Sequence, residues 1–167
     1  MSSSANPRRA VRALVLDGAD RILLCGMAVP EPPGTLVWAA PGGGIEPGER
    51  PLDALRRELR EEVGLVLPPT ADPPHVWHQE VLTPGHPPGH DGVSNDYFLV
   101  RTAWFTPRGE LSTAALEAEN ITGSRWWRLP EIAAYDGPDL FSPRDLATPL
   151  AALIATGPPD APVALSW

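Results

Sequence analysis

Two apolar runs open the chain, AVRALVL at residues 10–16 and RILLCGM at 21–27, separated by the turn-forming tetrapeptide DGAD, so the pattern predicts two strands joined by a hairpin or tight turn. Between residues 51 and 64 the period changes. At about 100° per residue, Leu52, Leu55, Leu59 and Val63 share one stripe, which predicts a helix with Pro51 in its first position and Gly64 just past its end. Thr35 to Ala40 reads as a short strand leading into a glycine turn. His75 to Leu82 and Asn95 to Phe105 read as long strands separated by a loop rich in proline and glycine. Residues 107–124 look irregular and acidic, and RWWRL looks like a strand entering a short helix at Pro130 to Tyr135. A last helix is expected to start with Ser142 as N-cap and Pro143 in the first position, with Pro149 kinking or dividing it.

The flank beside the helical stripe carries Glu58, Glu61 and Glu62. Arg57 and Glu61 make a favourable pair four residues apart, whereas Glu58 with Glu62 and Arg56 with Arg60 are like-charge pairs at the same spacing. A solvated helix face is the bland explanation. A hard divalent cation is the other, because magnesium takes oxygen ligands, keeps several waters and shares its shell with phosphates. In front of the helix, Pro41, Gly42, Gly43 and Gly44 let the backbone approach a ligand closely, and Gly48 adds a second flexible point before Glu49.

Counted from Gly43, the stretch runs through Glu49, Arg57, Glu58, Leu59, Glu61, Glu62 and Gly64 to Leu65, nine defined positions over 23 residues. It resembles the Nudix box, with every signature position filled. The resemblance implies an α/β fold, the family's α/β/α sandwich around a mixed β-sheet, with the box as a loop-helix-loop. It also implies a magnesium-dependent hydrolase, with manganese as a substitute, that cleaves the pyrophosphate of a nucleoside diphosphate derivative. Carried over residue by residue, Glu58, Glu61 and Glu62 correspond to metal ligands, with Glu61 also placed in the catalytic set. Arg57 corresponds to the arginine that orients Glu49, and Gly42, Gly43 and Gly44 border the substrate. One local departure is Arg50, where the family often has a serine or threonine N-cap; losing such a cap costs about 0.5–2 kcal/mol. The resemblance further implies a carboxylate outside the box as extra ligand or general base. Glu119 is favoured, with Glu117 and Glu80 as rivals. A catalytically silent nucleotide-sensing module is the alternative, and its expected mark, a damaged box, is missing here.

The length of 167 residues suits one domain over 9–157, between a polar N-terminal tail at 1–8 and a C-terminal tail at 158–167. A formal net charge of −8 argues against general nucleic-acid binding, which needs a basic face, yet not against a small phosphorylated substrate. With one cysteine, no intramolecular disulfide forms, and Cys25 in its apolar run reads as an inert buried thiol. No leader-like core and no 18-residue apolar run is present, so a cytoplasmic chain without membrane partners is expected. A homodimer is left open.

The remaining candidates weigh less. His75 and His78, three apart on a strand, should face opposite sides and be unable to chelate together. His86 and His90 lie in a loop with no further ligand beside them, which favours a solvated loop over zinc. Trp126 and Trp127 should alternate faces. Trp38, close to the glycines, is either a stacking platform for a nucleobase or packing under the loop.

Overall fold

Along β1 (Arg8–Leu16) successive side chains serve two different cores. Val11, Ala13 and Val15 face one layer, Leu14 and Leu16 the other, and in β2 (Ile22–Ala28) Leu23 and Cys25 divide from Ile22 and Leu24 in the same way. A strand buried on both faces reads as a continuous apolar run, which is the pattern of residues 13–16 and 22–25. The computed structural model describes residues 4–166; residues 1–3 of the expected N-terminal tail and Trp167 of the C-terminal one lie outside them.

Helix α1 (Pro51–Glu62) covers the first layer with Leu55 and Leu59, followed by Val63. Gly64, at φ 76°, closes it as an αL residue whose N–H reaches the Leu59 carbonyl. A side chain at Gly64 would strike the Arg108 carbonyl at 2.0 Å, so glycine is required there twice over. The second layer is covered by α3 (Leu129–Ala133) and α4 (Ala147–Thr156) through Ile132, Leu150 and Leu153. The result is the expected α/β/α sandwich.

The remaining strands are β3 (Leu36–Ala39), β4 (Gly42–Gly44), β5 (His75–Leu82), β6 (Gly92–Arg101), β7 (Ile121–Trp127), β8 (Leu140–Ser142) and β9 (Val163–Leu165). Their order is β8-β3-β2-β1-β6-β5-β9, with both parallel and antiparallel neighbours, so the sheet is mixed. Strands β1 and β2 meet at Leu16↔Ile22. Beyond that point β1 takes β4 as its partner, Ala10↔Gly44 to Arg12↔Gly42, while β2 takes β7, Ile22↔Trp127 to Met27↔Ile121. A cleft opens where the two pairings diverge.

Several sequence expectations change. The three glycines form a short strand on β1 rather than a turn. The segment expected to be irregular holds α2 (Thr113–Ala118), capped by the Ser112 hydroxyl on the Ala115 N–H, before β7 begins. Ser142 ends β8 instead of capping a helix, and α4 starts at Ala147. Pro149 therefore sits in the first turn, where an N–H has no intrahelical partner to lose, and no kink is needed. Residues 163–165 add an edge strand parallel to β5. Finally, a register shift between His75 and Trp77 puts both imidazoles on one carboxylate, with His75 Nε2 3.0 Å and His78 Nδ1 2.8 Å from Asp96 Oδ1. A bulge adds one residue and so resets the alternation. Among the described residues no helix is long and apolar enough to cross a membrane.

Candidate active site

Arg57 is the hub of the box. Its Nε and Nη2 donate to Glu49 Oε2 and Oε1 at 2.9 and 3.0 Å, a planar fork on one carboxylate. Nη2 also donates to the Gly44 carbonyl at 3.1 Å, and Nη1 to Glu58 Oε1 at 2.9 Å and Glu61 Oε2 at 3.5 Å. One side chain thus fastens the loop before α1, the glycine strand and the acidic flank together. The hydrogen bond from Arg57 is also the main reason the Glu49 carboxyl is held below its ordinary range.

The glycine strand separates charges. A side chain at Gly43 would meet Glu58 Oε1 at 2.6 Å, whereas the Cβ missing from Gly44 leaves room for the Arg8 guanidinium. Neither glycine has positive φ, so here glycine is demanded by space rather than by backbone conformation. The Gly42 N–H donates to Glu62 Oε2 at 3.0 Å, which ties β4 to that carboxylate.

Glu58 and Glu62 line a cavity of about 370 Å³ in the cleft between the β1–β4 and β2–β7 pairings. Burial pushes the Glu58 carboxyl up, against the opposing pull of Arg57. Burial, and then the Glu58 charge, push Glu62 up to about 8, although Arg12 and the Gly42 N–H pull the other way. A buried and a half-buried carboxylate that resist joint ionisation, bearing oxygen donors alone, fit a hard divalent cation that would let both ionise. Among the described residues no group of three His, Cys, Asp or Glu side chains converges to hold an ion unaided. Magnesium does not require such a group, since it is commonly bound by one or two carboxylates together with waters and substrate phosphates.

The other expected residues divide clearly. Glu119, at the C-cap of α2, lines the same cavity, as do Gly42, Gly43 and Gly44. Glu61 does not; it turns toward Arg57 with a side chain 27% exposed. Glu117 and the exposed Glu80 on β5 lie outside the cavity lining. Trp38 is corrected: its indole N–H donates to Asp139 Oδ2 at 3.0 Å, and its ring packs edge-on against Trp127 in the layer away from α1. It is packing under the loop and does not border the cavity. Cys25 does line it, but burial, reinforced by the Glu62 charge, pushes its thiol up to about 12, so it stays protonated and inert. Arg8 and Arg12, which also face the cavity, escaped the sequence reading because nothing local shows that β4 will pair beside them.

A model of the NUDIX domain matches residues 6–145, and the chain belongs to that family. Nucleoside triphosphatase NudI of Escherichia coli O1:K1 / APEC is 44% identical over 84 residues, 50% of this chain and 56% of that protein. The chain thus spans about half the length of the curated relatives it matches (56%). The solution structure of the E. coli ORF135 protein superposes over 93% of this chain and 96% of its own, with a TM-score of 0.63 and 23% identity. The NUDIX domain of Shewanella oneidensis NrtR, solved as a cocrystal with ADP ribose, covers 90% of this chain and 89% of its own, with a TM-score of 0.62 and 15% identity. At those identities the two structures establish the fold.

Proposed function

We propose that the expected domain, residues 9–157, together with Arg8 at the start of β1, forms one catalytic unit, a divalent-metal-dependent pyrophosphohydrolase that cleaves a nucleoside diphosphate derivative. The observation that carries this is the pair of buried Glu58 and half-buried Glu62, held over the glycine strand inside one cavity and braced by the Arg57–Glu49 fork. Glu58 and Glu62, joined by Glu61 if it turns from Arg57, would hold the ion. Bound there, magnesium or manganese supplies positive charge to diphosphate oxygens and lowers the pKa of water. Glu49 and Arg57 keep the acidic edge at a fixed distance from the backbone that faces substrate. Gly43 and Gly44, having no side chains, leave room on the backbone bordering the cavity for the Glu58 carboxylate and the Arg8 guanidinium. Nucleoside triphosphates are the leading substrate class, because the named relative NudI is a nucleoside triphosphatase. The test is a screen of nucleoside triphosphates and diphosphate-linked nucleotides with purified protein and magnesium, scored by phosphate or pyrophosphate release with and without chelator. Turnover that survives exhaustive chelation sinks the metal requirement, and no turnover on any nucleotide sinks the enzyme.

Arg57→Lys is expected to lower kcat roughly tenfold to a hundredfold with little change in KM. A lysine keeps the charge but cannot bridge Glu49, Gly44 and Glu58 at once, and a misplacement of about 1 Å in catalytic geometry can cost about 10² in rate. Steady-state kinetics check this, and an unchanged kcat would make Arg57 a simple surface partner of Glu61.

Glu119 is proposed as the general base, supported by its place on the cavity wall. Of Glu80→Gln, Glu117→Gln and Glu119→Gln, the last should lose the most turnover at saturating magnesium and substrate, by about 10²-fold or more. A larger loss in Glu80→Gln moves the base to the sheet.

A further inference from the structure

The cavity has a second wall of opposite charge. Arg8 and Arg12 are four apart on β1, hence on one side of the strand, and both line the cavity that holds Glu58 and Glu62. Their circumstances differ. Arg12 is anchored, its Nη1 donating to the Ala40 carbonyl at 3.0 Å and its Nε to Asn95 Oδ1 at 3.4 Å. The guanidinium of Arg8 lies across Gly44, in space that any Cβ there would take. Among the described residues no hydrogen bond or ion pair engages it. Glu58 lies on the other side of the glycine strand, where Gly43 gives its carboxylate room. Where arginines on this surface have an acidic neighbour they pair with it, as Arg60 does with Glu110 and Arg101 with Asp20. Arg8, by contrast, is exposed, unpaired and seated on a glycine at the rim of an acidic cavity.

We propose that Arg8 is a substrate-binding residue that takes the phosphoryl oxygens left uncovered by a carboxylate-held cation, with Arg12 as the fixed positive charge behind it. A planar fork of donors suits phosphate, and the glycine partition lets one diphosphate touch the acidic wall through an ion and the basic wall directly. The proposal rests on the reading of this cavity as a pyrophosphohydrolase site.

The experiment compares Arg8→Ala and Arg8→Lys with Arg9→Ala, which removes the same charge from the next position of β1 but does not border the cavity. Arg8→Ala should raise KM for the hydrolysed nucleotide about tenfold or more with kcat within about threefold, the loss expected for one charge-assisted hydrogen bond. Inorganic pyrophosphate should weaken as a competitive inhibitor by a similar factor, Arg8→Lys should recover part of both, and Arg9→Ala should alter neither. Unchanged KM and pyrophosphate inhibition in Arg8→Ala, with a normal melting temperature, overturn the proposal while leaving the hydrolase reading intact. If the wild type hydrolyses no nucleotide, calorimetric titration with pyrophosphate decides between the two. Binding that Arg8→Ala weakens keeps the anion wall although the activity has failed, and binding that is absent or unaltered by the substitution overturns the wall as well.

Discussion

Glu62→Gln is expected to cut kcat about 10³-fold, close to 4 kcal/mol of transition-state stabilisation, while the fold survives. The substitution keeps the shape of the side chain and an oxygen for the Gly42 N–H, so the contact between α1 and β4 remains. It removes a negative charge from a cavity where Glu58 is already buried alongside. In metal-free protein that removal relieves repulsion, so the variant should melt no lower than the wild type and above it at alkaline pH. Kinetics with magnesium and thermal melting in chelator check the two halves. A variant with most of its turnover refutes the ligand assignment, whereas one that is both inactive and unfolded shows the carboxylate to be structural.

The second large effect links pH, metal and stability. The Glu62 carboxyl rises on folding from an ordinary 4.5 to about 8. Between those values the folded chain keeps a proton that the unfolded chain has released, so this group makes stability fall as pH rises from 4.5 to about 8, and adds no slope outside that window. Asp17, Glu49, Glu131 and Asp139 are shifted downward; their stabilisation is present above their unfolded values and is lost on acidification, so they do not mask the slope above pH 5. The chelator-treated wild type should therefore melt lower at pH 8 than at pH 5.5, and Glu62→Gln should flatten that difference. Magnesium at a hundredfold excess over its dissociation constant should restore about 2.7 kcal/mol, roughly 5–10 °C for a domain of this size. The same pair of melts in wild type and variant gives the check: identical pH slopes in chelator would show that Glu62 does not titrate abnormally.

The box was legible because its logic is local. The apolar stripe of Leu55 and Leu59, Pro51 at the start, Gly64 at the end and the like-charge pair Glu58 and Glu62 all lie within one helix and its flanks, where a period of 3.6 residues decides which side chains adjoin. The β1 and β2 runs were equally plain, since burial on both faces leaves Arg12 as the one charged position in residues 10–16 and none in residues 22–28. Where the sequence misled, a contact distant along the chain was responsible. Pro143 resembled a helix start, but pairing with β3 drew Leu140 to Ser142 into the sheet. His75 and His78 converge on Asp96 only because of a bulge against β6.

What the sequence by itself determined is therefore the acidic helix, the run of three glycines in front of it and the mixed α/β character of the chain. The tertiary structure alone decided which of those carboxylates share a cavity, turning Glu61 toward Arg57 and leaving Glu58 and Glu62 beside Glu119. It also turned Trp38 into the layer behind the sheet and set Arg8 on Gly44. The physical reason is the same in each case: spacing along one element fixes which side chains are neighbours, but the pairing of β4 with β1 and the parting of β1 from β2 are set by strand register over long sequence separations, which no local period encodes.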